Sequence, residues 1–418
     1  MSQDISKTKR NQNPPETPPQ HRLITLIGPA FVAAVAYVDP GNVAANISAG
    51  ARYGYLLVWV LVLANLMSVL VQYQSAKLGI VTGQSLPQLL GKRLKKTPRL
   101  LFWAQAEIVA AATDLAEIIG GAIALYLLFD LPLIWGGIVV GLVSLLLLAL
   151  QNDGKQRIFE SVVIGLLLII TIGFLAGLFI DPPSGPDLLG GLVPRFTDTG
   201  SVLIAASMLG ATVMPHAIYL HSSLVNDAHG DKGIPTEQLL RASRVDVSWA
   251  LLLAGAVNIC LLLLAATALP GVPGTETIAG AHHAIASALG PVVATLFAVG
   301  LLASGLASTS VGAYAGSEIM KGLLHRQYPL VVRRAITLVP AFVVLAIGVE
   351  PTWALVISQV VLSLGIPFAI IPLMLTTRNR ELMGTYADPI PMQVLSFLVA
   401  GLIIALNLAL LILTFTGF

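Results

Sequence analysis

The sequence predicts an all-α polytopic membrane protein with eleven transmembrane helices, built as two inverted five-helix repeats followed by an eleventh helix. Three observations carry that prediction. The chain of 418 residues is 56% hydrophobic and only 11% charged, whereas water-soluble domains carry about a quarter charged residues. Cutting it at its charges leaves uncharged stretches at 53–76, 131–152, 161–180, 351–377 and 389–418, each able to supply the roughly 20 residues that cross about 30 Å of hydrocarbon. Two apolar stretches are also interrupted at similar depth, near residues 39–42 and 214–216, by helix-breaking residues.

Taken in order, residues 1–22 contain NPPETPP and are too polar and proline-rich to fold, giving a disordered cytoplasmic tail. The first span covers 23–48. Its apolar start and the AVA at 34–36 have the outline of a cleaved signal peptide, but ten further spans make a first transmembrane helix the simpler reading. Spans two to five lie at 54–76, 100–128, 132–151 and 158–180 and complete the first repeat, 23–180. Spans six to ten lie at 200–224, 245–269, 281–318, 333–349 and 352–376 and form the second repeat, 200–376. A repeat with an odd number of spans must insert in the opposite sense to its partner. The eleventh span, 391–416, is extra, and the connections are too short to hold a soluble domain.

Basic residues accumulate in cytoplasmic loops. With the N-terminus cytoplasmic, the inner segments hold 21 of the 23 Lys and Arg residues and the outer ones only Arg52 and Arg195. One missed span would scramble that alternation. The expected location is the cell's inner (plasma) membrane, multi-pass, with Phe418 external. The net charge of +2 is then a matter of topology, and neither a nucleic-acid nor a protein partner is expected beyond the lipid bilayer. Cys260 is the only cysteine and sits in an apolar run, which excludes an internal disulfide and reads as a small buried hydrophobe.

An ionisable residue inside a membrane is costly and marks function. Asp39, Glu107, Asp114, Glu117, His216 and His221 fall within spans. In VAYVDPGNVAAN, residues 35–46, Pro40 removes an amide donor and Gly41 relaxes the backbone, so the helix breaks and frees carbonyls of the preceding turn. Unwound backbone at membrane depth lines a cavity or is buried in protein. Asp39, Asn42 and the electronegative end of the half-helix converge there, and a cation is the natural occupant. The bland alternative is a proline kink with an acid paired to a distant base. The sixth span repeats the device in LGATVMPHAIYLH, residues 209–221, where Met214 and His216 flank Pro215. Paired interruptions in corresponding spans point to a transporter with its site near the midplane.

At 100° per residue, Glu107 and Asp114 lie about 20° apart on the third span and Glu117 about 60° beyond, so the three share one face. Such a row reads as a proton relay or as a set of buried acid–base pairs. Candidate partners are Arg333 and Arg334, which open the ninth span and otherwise snorkel to the cytoplasmic face.

DPGN and MPH, each at a break, resemble the signature pair of the Nramp family of proton-coupled manganese and iron transporters. The resemblance continues through ATDLAEIIG (112–120), ASGLASTSVG (303–312) and VISQVVLSLGIPF (356–368). It implies the fold of the sodium-coupled leucine transporter and metal ligation by Asp39, Asn42 and Met214, with carbonyls of Ala36 and Ala211 and, in some states, Gln359. Read on its own, Gln359 is also a polar residue that ties helices together. The family places His216 on the proton side, with His221 as a support or exit residue. Some members carry an arginine shortly after the sixth span, where this chain reads LVNDAHG (224–230).

Oxygen ligands alone suit Mg²⁺ and Ca²⁺, whereas a thioether favours transition metals, so Met214 is the discriminating residue. The leading expectation is a secondary transporter importing Mn²⁺ or Fe²⁺ as substrate with H⁺ as coupling ion, by alternating access and without a cofactor. The alternatives are a same-fold transporter of Mg²⁺ or of a sodium-coupled organic solute, the latter disfavoured because Asp39 repels a carboxylate. An enzyme is not expected, since no HExxH or GxSxG string sits in a span.

Overall fold

The computed structural model describes residues 26–152, 156–230, 233–275, 277–325 and 329–416. The tail expected over 1–22 and the terminal Phe418 lie outside the described residues. Described in chain order, the helices are α1 (Pro29–Ala34), α2 (Pro40–Tyr53), α3 (Val58–Thr82), α4 (Leu86–Arg93), α5 (Lys96–Phe129), α6 (Leu133–Asn152), α7 (Gln156–Leu175), α8 (Gly185–Gly190), α9 (Thr199–Thr212) and α10 (Pro215–His229). They continue with α11 (Thr236–Ala268), α12 (Ile278–Leu289), α13 (Pro291–Leu324), α14 (Leu330–Ala346), α15 (Pro351–Thr377), α16 (Arg380–Met383) and α17 (Ile390–Thr416). No strand occurs among the described residues.

Proline starts α2, α10, α13 and α15, where its missing amide removes a donor that has no helical partner anyway. Eight helical stretches among the described residues, one of them α9 and α10 taken across their break, are long and apolar enough to cross a membrane. The other three expected spans fall on α1–α2, which is broken, on α6, which runs 20 residues, and on α14, which runs 17 and is opened by Arg333 and Arg334. The stretch 281–318, expected as one span, is two helices. Gly290 turns the chain at φ 93° and Pro291 starts α13, so α12 stands apart from the long helix that follows.

The most extensive helix contact joins α5 to α13. Against the first break, α5 presents Gly120, where a Cβ would come within 2.2 Å of the Pro40 ring; only glycine admits that approach. The start of α1 is held by Asp246 on α11, whose two carboxylate oxygens accept from the Gly28 and Ala30 amides at 3.1 and 2.9 Å. Those amides are among the four orphan donors of a helix start. Outward, Trp135, Leu146, Leu168, Ile336 and Leu398 are exposed, the apolar surface that a bilayer covers.

Candidate metal site and acid row

In an α-helix each carbonyl accepts from the amide four residues on. Proline has none, so Pro40 deprives the Ala36 carbonyl and Pro215 the Ala211 carbonyl. At the first break the chain leaves a short 3₁₀ turn (Val35–Val38) through Asp39, which is extended at φ −72°, ψ 165°. At the second, Val213 (φ −98°, ψ 88°) and Met214 (φ −82°, ψ 118°) leave the helical region. Two carbonyls of the first break receive side-chain donors. Asn258 Nδ2 donates to Tyr37 O at 2.7 Å and Ser304 Oγ to Val38 O at 2.5 Å. Asn46 Nδ2 donates to Asn258 Oδ1 at 2.7 Å and fixes that amide. No side-chain donor among the described residues reaches Ala36 O.

Asp39 divides its work by atom. Oδ1 accepts from the Asn42 amide at 2.8 Å and from Asn42 Nδ2 at 2.6 Å, an N-cap for α2. Oδ2 has no hydrogen-bond partner among the described residues, and neither do Asn42 Oδ1 or either polar atom of the Gln359 amide. Asn42 Nδ2 also donates to the Ala211 carbonyl at 2.9 Å, joining the two breaks. A Cβ on Gly41 would stand 1.7 Å from Gln359 Nε2 and 3.2 Å from Asp39 Oδ2. Gly41 is therefore what lets the Gln359 amide of α15 lie beside the second carboxylate oxygen of Asp39.

Met214 is fully buried, as are Ala36 and Ala211. The salt bridges among the described residues are Lys77–Asp388, Lys321–Glu318, Arg333–Glu107 and Arg334–Asp114; Asp39 joins none. A buried, unpaired carboxylate oxygen is expensive unless a cation meets it. Carboxylate, amide oxygen, freed carbonyl and thioether are the donor types that suit a divalent transition metal.

The acid row lies on α5. Glu107 accepts from Arg333 Nη2 at 2.9 Å, and Asp114 pairs with Arg334 Nη1. Both arginines are buried rather than snorkelling. Arg334 also donates to Thr309 at 2.8 Å and to Ser144 at 3.3 Å, and Arg333 to the Ala313 carbonyl at 3.2 Å. Glu117 differs: neither carboxylate oxygen has a hydrogen-bond partner among the described residues, and it lies within electrostatic reach of Asp114, Arg334 and Asp39. His216, the second residue of α10, is buried with both ring nitrogens unpartnered among the described residues. His221 Nδ1 meets Gln72 Oε1 at 2.7 Å, and Gln72 Nε2 donates to the Tyr37 hydroxyl at 2.7 Å.

A family model described as natural resistance-associated macrophage protein-like, Nramp, matches residues 30–413. The chain belongs to the Nramp family. It is 57% identical over 394 residues to a divalent metal cation transporter MntH of Mycobacterium tuberculosis (strain CDC 1551 / Oshkosh), covering 94% of this chain and 92% of that protein. A crystal structure of the Eremococcus coleocola manganese transporter, in complex with an aromatic bis-isothiourea substituted compound, superposes with a TM-score of 0.84 at 32% identity, over 92% of this chain and 86% of that one. Mhp1, a nucleobase-cation-symport-1 family transporter in a closed conformation, superposes with a TM-score of 0.60 at 15% identity, over 92% of this chain and 91% of that one, a likeness of fold alone.

The Nramp strings acquire physical meaning at these contacts. In 303–312, Ser304 holds a carbonyl of the first break, Thr309 holds Arg334, and Gly312 faces the Glu117 carboxylate. Sequence reasoning missed Asn46, Gln72, Ser144, Asn258, Ser304 and Thr309. The available signal was a polar residue inside an apolar run, but uncharged side chains that satisfy backbone groups look the same in one dimension as those that merely face a neighbouring helix.

Proposed function

We propose that this chain imports Mn²⁺, together with Fe²⁺ and similar divalent transition metals, coupled to protons and by alternating access. The family is one of transporters, so no enzymatic turnover is assigned. Eleven crossings, a cytoplasmic N-terminus and an external C-terminus complete the reading, with repeats over 23–180 and 200–376 and the extra helix at 391–416. Asp39, Asn42 and Met214 hold the metal with the Ala36 and Ala211 carbonyls, and Gln359 joins from α15. Asp114, Glu117 and Glu107 carry protons with His216, while His221, Arg333 and Arg334 support the route.

The observation that carries the reading is the meeting of two proline-broken helices at Asp39 Oδ2 and Asn42 Oδ1, two buried oxygens without a protein partner among the described residues. Glu117, buried on α5 one turn beyond Asp114, carries charge compensation between this point and the acid row in this reading. Met214 favours a transition metal over Mg²⁺, and the lone carboxylate disfavours an organic anion with sodium. The test is Mn²⁺ uptake into liposomes holding the purified chain. Uptake should rise with an inward pH gradient and resist excess Ca²⁺ and Mg²⁺. Uptake indifferent to the gradient removes proton coupling, and uptake of Mg²⁺ equal to that of Mn²⁺ removes the metal assignment.

A further inference from the structure

The connection between α7 and α9 is not a span, yet it is strongly apolar on its outer surface. Phe179 is 84% exposed, Leu189 67% and Val193 57%. These side chains do not belong to a loose strand of chain. The Trp59 amide donates to the Gly191 carbonyl at 3.0 Å, and Phe196 packs edge-on against Trp59 with ring centroids 5.4 Å apart. A held segment that presents bare apolar side chains at the end of a span, beside Trp and Tyr, has the composition that suits the depth of lipid headgroups.

Beside it lies a cavity of about 460 Å³, walled by the α2–α3 turn and by residues 186–197. Arg52 and Arg195 both line it. They are the two basic residues that the charge count puts on the outer side, and neither belongs to any salt bridge among the described residues. The nearby Asp198 is already engaged. Its Oδ1 accepts from the Ser201 amide at 2.7 Å and from the Tyr53 hydroxyl at 2.9 Å, and the Ser201 amide holds its carboxyl below the usual carboxylate range. Asp187 also lines the cavity, leaving the lining with one positive charge in excess. Each guanidinium presents a planar fork of donors that matches phosphate oxygens, which lysine does not supply, and this cavity is lined by two.

We infer that this cavity binds the phosphate of a membrane phospholipid, with the acyl chains lying along Leu189 and Val193. The charge count places it in the outer leaflet. A free phosphate or carboxylate shares the headgroup chemistry but makes no use of the apolar rim, so the lipid is the better match. The bound lipid spans the end of α2 and the 186–197 segment, bracing the outer half of the broken first span against α3.

The test is native mass spectrometry of the purified full-length chain with phosphatidylglycerol added. The parent should retain bound lipid, and Arg52→Gln with Arg195→Gln should retain at least roughly fivefold less, as two partly screened ion pairs predict. Mn²⁺ binding by the same preparation checks that the double variant is folded. Should it fail to fold, Leu189→Gln with Val193→Gln replaces it and should also lose lipid. Inorganic phosphate and citrate should not displace the lipid from the parent. Undiminished lipid in a folded variant of either pair overturns the inference, and so does complete displacement by phosphate or citrate, which would make the cavity a small-anion site.

Discussion

Asn42 and Ala211 tie the two broken spans together: the Asn42 side-chain nitrogen donates to the Ala211 carbonyl at 2.9 Å while also donating to Asp39 Oδ1 at 2.6 Å. That nitrogen donates to one of the two carbonyls that proline frees, and Asn42 Oδ1 is left without a partner among the described residues. Replacing Asn42 with alanine should weaken Mn²⁺ binding by about 1–3 kcal/mol, the scale of leaving buried polar groups unpaired. Calorimetric titration of Mn²⁺ checks it, and affinity equal to the parent's would remove Asn42 from the site.

In the proposed site, Met214 should set selectivity rather than attraction. Oxygen donors attract any divalent cation, whereas the sulfur forms a bond that Ca²⁺ and Mg²⁺ do not exploit. Met214→Ala should cost transition-metal affinity by about 1–2 kcal/mol, or roughly tenfold, and should let Ca²⁺ or Mg²⁺ compete. Asp39→Ala should abolish transport of every ion. Mn²⁺ uptake by each variant in excess Ca²⁺ is the measurement, and Ca²⁺ exclusion by Met214→Ala equal to the parent's would place selectivity elsewhere.

Gly41→Ala should displace Gln359, because the added methyl would stand 1.7 Å from its amide nitrogen. Residues in direct contact couple in double-mutant cycles by about 0.5–3 kcal/mol. Gly41→Ala should therefore impair Mn²⁺ uptake in the parent but add little on a Gln359→Ala background. Strictly additive losses would show that the two residues act independently.

Asp114→Asn should weaken or abolish proton movement while leaving metal binding measurable, since the Asp114–Arg334 pair lies off the donor atoms. Removing one member of a buried pair is destabilising by about 3–5 kcal/mol, so a lower melting temperature is also expected. Metal-driven proton flux with unchanged pH dependence in this variant would move the proton role to Glu117, Glu107 or His216.

Single cysteines at Ser2 and at Gly417 should label from opposite sides of intact cells, as the distribution of Lys and Arg requires. Labelling of both from one side would mean a miscounted span.

The membrane solvent, the positions of most helices and the two breaks were legible in the sequence because each follows from local chemistry: apolar run length, charge, and proline's missing amide. The same logic singled out Asp39, Asn42 and Met214, since a polar or soft side chain beside a broken helix at membrane depth has few other reasons to be there. Family motifs added Ala36, Ala211 and Gln359, and the structure supplies the reason for the first two, each carbonyl lying four residues before a proline. What only the tertiary structure decided were the pairings between distant segments. Whether Arg333 and Arg334 reach the lipid surface or turn inward depends on where α14 packs against α5, and they turn inward to Glu107 and Asp114. Which carbonyls of the first break remain unserved depends on Asn258 and Ser304, more than 200 residues away in the chain. The division of 281–318 into two helices rests on a positive φ at Gly290, which a hydropathy pattern does not encode. Local composition sets the solvent and the breaks; the partners of those breaks are chosen by packing, because buried polar groups must be satisfied by whatever the fold brings within reach.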